Sequence, residues 1–230
     1  MDDPPPFLFI FLCYYQCIKK YMISIYAIFQ KAFWIIFYIV EKALFDLTVE
    51  NRSGLNLAEM KGPYIVASNH KRRIDPFVIG LAFPLTNKIY PIRFMTADGF
   101  LKIPILAQYI RLMGGFPTYY KQGIDKSLEL PLKILNEGVS VGYFPEGSMN
   151  KSDVLKEAKR GVAVLAFKSK APILPVAIKY SGSKIKVTFG APFLLPEVVP
   201  TNPHEPSVDS YEDMKRSAQV VIKRIGELLG

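Results

Sequence analysis

The chain has 230 residues, enough for one sizeable domain with its own core plus an appendage, and half of them are hydrophobic. Its formal charge is +9, which suits an anionic partner such as a membrane surface, a phosphorylated substrate or nucleic acid. The two cysteines, Cys13 and Cys17, lie four apart in an apolar run with no second pair and no nearby histidine, which excludes a disulfide framework and a zinc site.

Residues 1–46 balance in charge, with Lys19, Lys20, Lys31 and Lys42 against Asp2, Asp3, Glu41 and Asp46. All the excess positive charge therefore belongs to the body. The stretches "PPPFLFIFLCYYQCI" and "YMISIYAIFQKAFWIIFYIV" are far more apolar than anything downstream. They do not form a secretory signal, because the start is acidic and no small-residue cleavage site follows. No charge-free run reaches the roughly 18 residues of a simple membrane span. On a helix, Lys20, Ser24, Lys31 and Lys42 fall in one narrow stripe among apolar and aromatic faces. The expectation is a two-helix membrane-binding motif over 1–46, breaking near Lys19-Lys20, with the first helix dipping into lipid. The other reading is an internal helix packed on the main core with one wet edge.

From residue 62 short β-like runs alternate with helical ones. "YIVAS" (64–68), "YPIRFM" (90–95) and "VSVGYF" (139–144) read as buried strands, and "PILPVAIKY" (172–180) with "KIKVTFG" (184–190) as a later strand pair. Helices are expected at 76–83, 99–113, 125–137 (weakened by Pro131), 156–169 and 208–229. This predicts an α/β domain over 47–230, a largely parallel β-sheet flanked by helices, with function at the carboxyl ends of its strands.

Four short stretches carry chemistry. In "SNHKRRIDP", His70 and Asp75 follow the first of these strands. A histidine there can take a proton from a hydroxyl while a carboxylate fixes its tautomer. Equally, Asp75 before Pro76 is an ordinary helix cap and His70 an ordinary loop residue. In "YFPEGSMN", Glu146 is held in a turn, to accept hydrogen bonds from substrate hydroxyls or only to face solvent, and Ser148 is placed to cap a helix beginning after it. In "GGFP", paired glycines end a helix and let backbone approach a ligand, or form a plain turn. In "APILPV", prolines bracket the start of an apolar strand.

In this order and spacing the blocks resemble the glycerolipid acyltransferase family, over roughly residues 55–200, and most nearly its bacterial 1-acyl-sn-glycerol-3-phosphate acyltransferases. The resemblance implies a membrane-bound enzyme moving a fatty acyl group from acyl-CoA or acyl carrier protein to the free sn-2 hydroxyl of lysophosphatidic acid, giving phosphatidic acid. His70 would be the general base and Asp75 its partner. Phe144, Pro145, Glu146, Gly147 and Ser148 would bind substrate, as would Gly115, Phe116 and Pro117. No metal or cofactor is implied. The expected location is the cytoplasmic face of the inner membrane. The chain departs from the family at Arg72, where a small residue is usual, at Tyr120, where arginine is frequent, and at Ser148-Met149, where Thr-Arg is usual. Lys102, Lys121 and the Lys159-Arg160 pair are the candidates to replace the missing phosphate-binding arginines, although lysine binds phosphate as a point charge and arginine as a fork. The alternatives are another acceptor, such as glycerol 3-phosphate or another lysophospholipid, and a non-catalytic membrane lipid-binding protein. A nucleic-acid partner is disfavoured, since the aromatics concentrate at the N-terminus rather than interleaving with the cations.

Overall fold

The structure is a computed structural model, and it describes residues 24–25, 27–32, 35, 46–84, 86–96, 98–119, 122–195 and 211–230. Its strands are β1 (Asp46–Asn51), β2 (Ile65–Ser68), β3 (Ile92–Thr96), β4 (Phe116–Pro117), β5 (Ser140–Tyr143), β6 (Ile173–Ser181) and β7 (Lys184–Phe189). The helices are α1 (Asp75–Ala82), α2 (Asp98–Leu101), α3 (Pro104–Leu112), α4 (Ile124–Asn136), α5 (Gly161–Ser169) and α6 (Tyr211–Glu227). All seven strands join one sheet in the order β1-β7-β6-β2-β5-β3-β4. Every neighbouring pair is parallel except β6–β7, so the α/β expectation of a largely parallel sheet holds.

Central strands explain the layering. β2 reads Ile-Val-Ala-Ser, and all four residues are buried, as a strand covered on both faces requires. Ile65 and Ala67 point into one core, built with α4, α5 and α6. Val66 points the other way, into a second core with Val78 and Ile79 of α1. Each such aliphatic side chain contributes about 1.5–3 kcal/mol by leaving water.

Three expectations are corrected. The helix expected over 99–113 is two helices, α2 and α3, broken at Lys102-Ile103. Pro104 causes the break, because it has no N–H to give and pushes Ile103 away from helical geometry. The helix expected from 156 starts only at Gly161. Before it, side chains take the place of a helical ladder: Asn150 Nδ2 donates to Val154 O, and Glu146 Oε2 accepts the Lys156 N–H. No helix begins after Ser148 for it to cap. The third is an omission, the edge strand β1, whose polar DLTVEN carries little apolar signal. Pro131, by contrast, lies inside α4 with its ring buried in the core.

Residues 24–25, 27–32 and 35 are helical. Ala27 packs on the α1-side core and Gln30 is fully buried, while Ile28, Phe29 and Ile35 are exposed. The rest of the apolar N-terminus lies outside the described residues, including Cys13, Cys17 and the expected break at Lys19-Lys20. Among the described residues, no helix is long and apolar enough to cross a membrane.

Candidate active site

The site begins where β2 leaves the sheet. Ser68 ends the strand, and Asn69 then substitutes its side-chain amide for a backbone rung. Its Oδ1 accepts the Ile178 N–H at 2.8 Å and its Nδ2 donates to Ile178 O at 2.9 Å. The neighbouring strand β6 stays satisfied while the chain turns away. His70 therefore emerges at the carboxyl end of β2, with both its backbone groups tied to the loop after β5. Its N–H donates to Glu146 Oε1 at 3.2 Å, and its carbonyl accepts the Asn150 N–H at 2.6 Å.

His70 Nδ1 lies 2.8 Å from Asp75 Oδ2. Asp75 is fully buried, and donors surround its carboxylate. Oδ2 also accepts the backbone N–H groups of Lys71 at 2.6 Å and Arg72 at 2.8 Å, and Oδ1 accepts the Tyr180 hydroxyl at 2.6 Å. Such charge-assisted bonds let a carboxylate remain ionised away from water. Asp75 is not the helix cap that its place before Pro76 predicts. Ile74 holds the cap position without a side-chain bond, and the Asp75 carboxylate folds back toward the loop instead.

This arrangement selects a tautomer. An ionised carboxylate only accepts, so Nδ1 carries the proton and neutral His70 presents its lone pair at Nε2. The imidazole retains a little exposure, at 18% for the side chain against 0% for Asp75. Phe144 stacks on its face, with ring centroids 4.0 Å apart. A histidine held by edge and face can take a proton at Nε2 from a bound hydroxyl.

The remaining predicted residues divide into two groups. Glu146 is buried and bonded to His70 N, to Asn150 Nδ2 at 2.6 Å and to Lys156 N at 3.0 Å, so it fastens the histidine loop to the loop after β5. Pro145 O accepts the Lys159 N–H at 2.8 Å. Gly147 takes a left-handed φ of 70°, and a Cβ there would fall 2.7 Å from the Lys159 side chain. Ser148 is exposed beside it. Farther along the chain, Gly115 and Phe116 are buried and Pro117 partly so, at the strand β4. Phe116 belongs to the core, with Arg93 5.8 Å over its ring. Lys102 is exposed at the α2–α3 break. Arg160, just before α5, has its guanidinium 4.6 Å over the Tyr211 ring of α6. Tyr120 and Lys121 lie outside the described residues.

The three cations between histidine and aspartate have separate partners. Lys71 Nζ reaches Ser152 O and Asp153. Arg72 lies 4.0 Å over the Tyr180 ring, and Arg73 5.7 Å over Phe100. Tyr180, Asn150 and Asn69 have no place among the sequence candidates. Tyr180 nevertheless ends the quoted stretch "PILPVAIKY" at the carboxyl end of the strand beside β2, where side chains from both strands meet. Burial, with the Asp75 charge and hydrogen bond adding to it, pushes the Tyr180 phenol well above its ordinary pKa and keeps it a donor.

The acyltransferase family model matches residues 46–179, from β1 into β6, and so includes His70, Asp75 and the Glu146 loop. The chain belongs to the acyltransferase family. This acyltransferase is 26% identical over 137 residues to the 1-acyl-sn-glycerol-3-phosphate acyltransferase of Bacillus subtilis (strain 168), covering 56% of this chain and 66% of that one. It is 31% identical over 166 residues to the 1-acyl-sn-glycerol-3-phosphate acyltransferase of Saccharomyces cerevisiae, covering 67% and 50%. The matches thus span about half to two thirds of these curated relatives. The crystal structure of the 1-acyl-sn-glycerophosphate (LPA) acyltransferase PlsC from Thermotoga maritima superposes with a TM-score of 0.58 at 21% identity, over 96% of this chain and 88% of that one. That likeness shows a shared fold.

Proposed function

We propose that this acyltransferase moves a fatty acyl group from acyl-CoA or acyl carrier protein to the sn-2 hydroxyl of 1-acyl-sn-glycerol 3-phosphate, giving phosphatidic acid. The observation that carries the reading is the His70 Nδ1–Asp75 Oδ2 bond at 2.8 Å, which leaves Nε2 as the basic atom. Nε2 removes the hydroxyl proton as the oxygen attacks the thioester carbonyl. The C–S bond then breaks, and the departing thiolate receives that proton from the imidazolium. The acceptor hydroxyl is itself the nucleophile, so no acyl-enzyme forms. The names of the relatives from Bacillus subtilis and yeast support the acceptor. Exposed cations beside His70, chiefly Arg72 and Arg73, suit an anionic headgroup. Lys102, Gly115, Pro117, Gly147, Ser148 and Arg160 are substrate-contact candidates on the family resemblance. We assign membrane association, on the cytoplasmic face, to the apolar N-terminus, where Ile28 is 66% and Ile35 51% exposed.

The test is transfer of a labelled acyl group from acyl-CoA or acyl carrier protein to lysophosphatidate in detergent, with wild type and His70→Ala. Wild type should turn over and His70→Ala should lose essentially all activity. Unchanged turnover in the variant sinks the mechanism. Wild-type turnover confined to glycerol 3-phosphate moves the acceptor, and inactivity on every lysophospholipid returns the chain to lipid binding without catalysis.

A further inference from the structure

We propose that Tyr180 is a positioning residue for the His70–Asp75 pair: its hydroxyl anchors Asp75 Oδ1 and fixes the carboxylate plane that holds the imidazole. The donors on Asp75 are unevenly shared. Three meet Oδ2, namely His70 Nδ1, Lys71 N and Arg72 N, whereas among the described residues only Tyr180 donates to Oδ1, at 2.6 Å. Without that bond the fully buried carboxylate is held by one oxygen and free to rotate about its last torsion, which is broad for aspartate. Rotation swings Oδ2 out of line with Nδ1.

Tyr180 is well placed to prevent this. It lies on β6, which runs parallel to β2 and is paired with it from Ile65–Ile173 to Ser68–Val176. The Asn69–Ile178 bonds extend that pairing beyond the strand end. The phenol therefore approaches Asp75 from a rigid strand rather than a loop, which makes a positioning group more accurate. Arg72 covers the ring face with its guanidinium 4.0 Å from the centroid. That contact, worth more when partly desolvated, restrains the ring and couples it to the histidine loop. A phenol bonded to Oδ1 also draws charge from the carboxylate, so removing it concentrates charge on Oδ2 and strengthens the His70 bond electronically while loosening it geometrically.

The inference uses the acyl-transfer reading for its turnover arm alone. NMR of the full ¹⁵N-labelled chain in detergent supplies an arm that needs no turnover. The chain has two histidines, so the ring signals missing from His70→Ala belong to His70. Tyr180→Phe should move the His70 Nδ1–H resonance downfield, and 3-fluorotyrosine at position 180, a stronger donor, should move it upfield. In turnover, Tyr180→Phe should lower kcat roughly tenfold, the scale of one hydrogen bond to a charged group, with KM for both substrates within about twofold. An unmoved His70 resonance in both variants overturns the inference, as does a loss confined to KM. If Tyr180→Phe does not fold, the fluorotyrosine chain decides alone: an upfield shift supports the role and no shift ends it. If wild type transfers no acyl group, the acyl-transfer reading fails while the resonances still test Tyr180.

Discussion

The Phe144 ring lies nearly parallel to the His70 imidazole, 14° off and 4.0 Å from it. Phe94 stacks behind Phe144 at 6.1 Å, so the histidine closes a three-ring column rising from the sheet. Asp75 fixes the edge of the imidazole and this column fixes its plane. Gly142 makes room for the column, since a Cβ there would fall 2.1 Å from the Phe94 ring. We expect Phe144→Leu, which keeps apolar volume but loses the flat face, to lower kcat roughly threefold to tenfold, from the ~0.5–1.5 kcal/mol of an aromatic pair. KM should hardly change. A kcat equal to wild type would show that the imidazole is oriented by Asp75 alone.

Glu146 should behave as a structural clamp. Both carboxylate oxygens are used by N–H donors, from His70, Asn150 and Lys156. Glu146→Gln keeps the shape but turns an NH₂ group toward one of those donors, leaving it buried and unpaired. The expected cost is about 2 kcal/mol, a fall in Tm of ~4–8 °C for a chain of this size. The acceptor KM should change much less than stability. Thermal melts and acceptor titrations on the same preparation check this, and a raised KM at unchanged Tm would return Glu146 to substrate contact.

The residues that meet at the site are legible in the sequence to unequal degrees. The expectation of strands at 64–68 and 139–144 puts His70 and Glu146 at strand ends, because apolar runs of that length mark a buried parallel sheet whatever their order. How those ends connect is not legible. The bonds from His70 N to Glu146 and from Asp75 to Tyr180 link residues 76 and 105 apart, and no periodicity encodes a partner at that distance. Asp75 shows the local limit. Its place before Pro76 fits a cap, and only the backward turn of Lys71 and Arg72 gives its carboxylate better donors. β1 escapes a reading by apolar pattern because an edge strand needs one apolar face at most. Residues 156–160 read as helix because side-chain bonds that displace a ladder leave composition unchanged.

An acid-sensitive contact ties β1 to the sheet edge. Hydrogen bonds from Arg52, then from Lys186 of β7, hold the Glu50 carboxyl at about 2, below its ordinary 4.5. A carboxyl whose folded value is depressed adds stability above its unfolded value, and that contribution is lost as pH falls from about 4.5 toward 2. The stability difference between wild type and Glu50→Gln should therefore be present at pH 7 and shrink through this window. It should also fall with added salt, because the pair is exposed. Urea melts at pH 7 and pH 3 measure it, and a difference independent of pH would mean the Glu50 charge is not what secures β1.

The N-terminal helical segment should depend on one buried side chain. Gln30 Nε2 donates to Ile92 O at 2.9 Å and to Met113 O at 2.7 Å, and its Oε1 accepts the Ile92 N–H at 3.1 Å. It acts as a strand rung on the β3 edge at Ile92, which β4 does not reach, since β4 pairs only from Met95 onward. Gly114 leaves space for it: φ there is +84°, and a Cβ would fall 2.4 Å from Gln30 Nε2. Gln30→Leu fills the volume but strands an N–H and two carbonyls away from water. The cost should be about 3 kcal/mol, lowering Tm by ~6–12 °C. Gly114→Ala should destabilise too, through left-handed strain and the collision with Gln30. Limited proteolysis then distinguishes a local from a global effect. If Gln30 fastens the helical segment to the domain, the Gln30→Leu chain is cut first within residues 24–46 while the body from β1 onward survives. Loss of the whole chain at one rate would place the damage in the sheet instead.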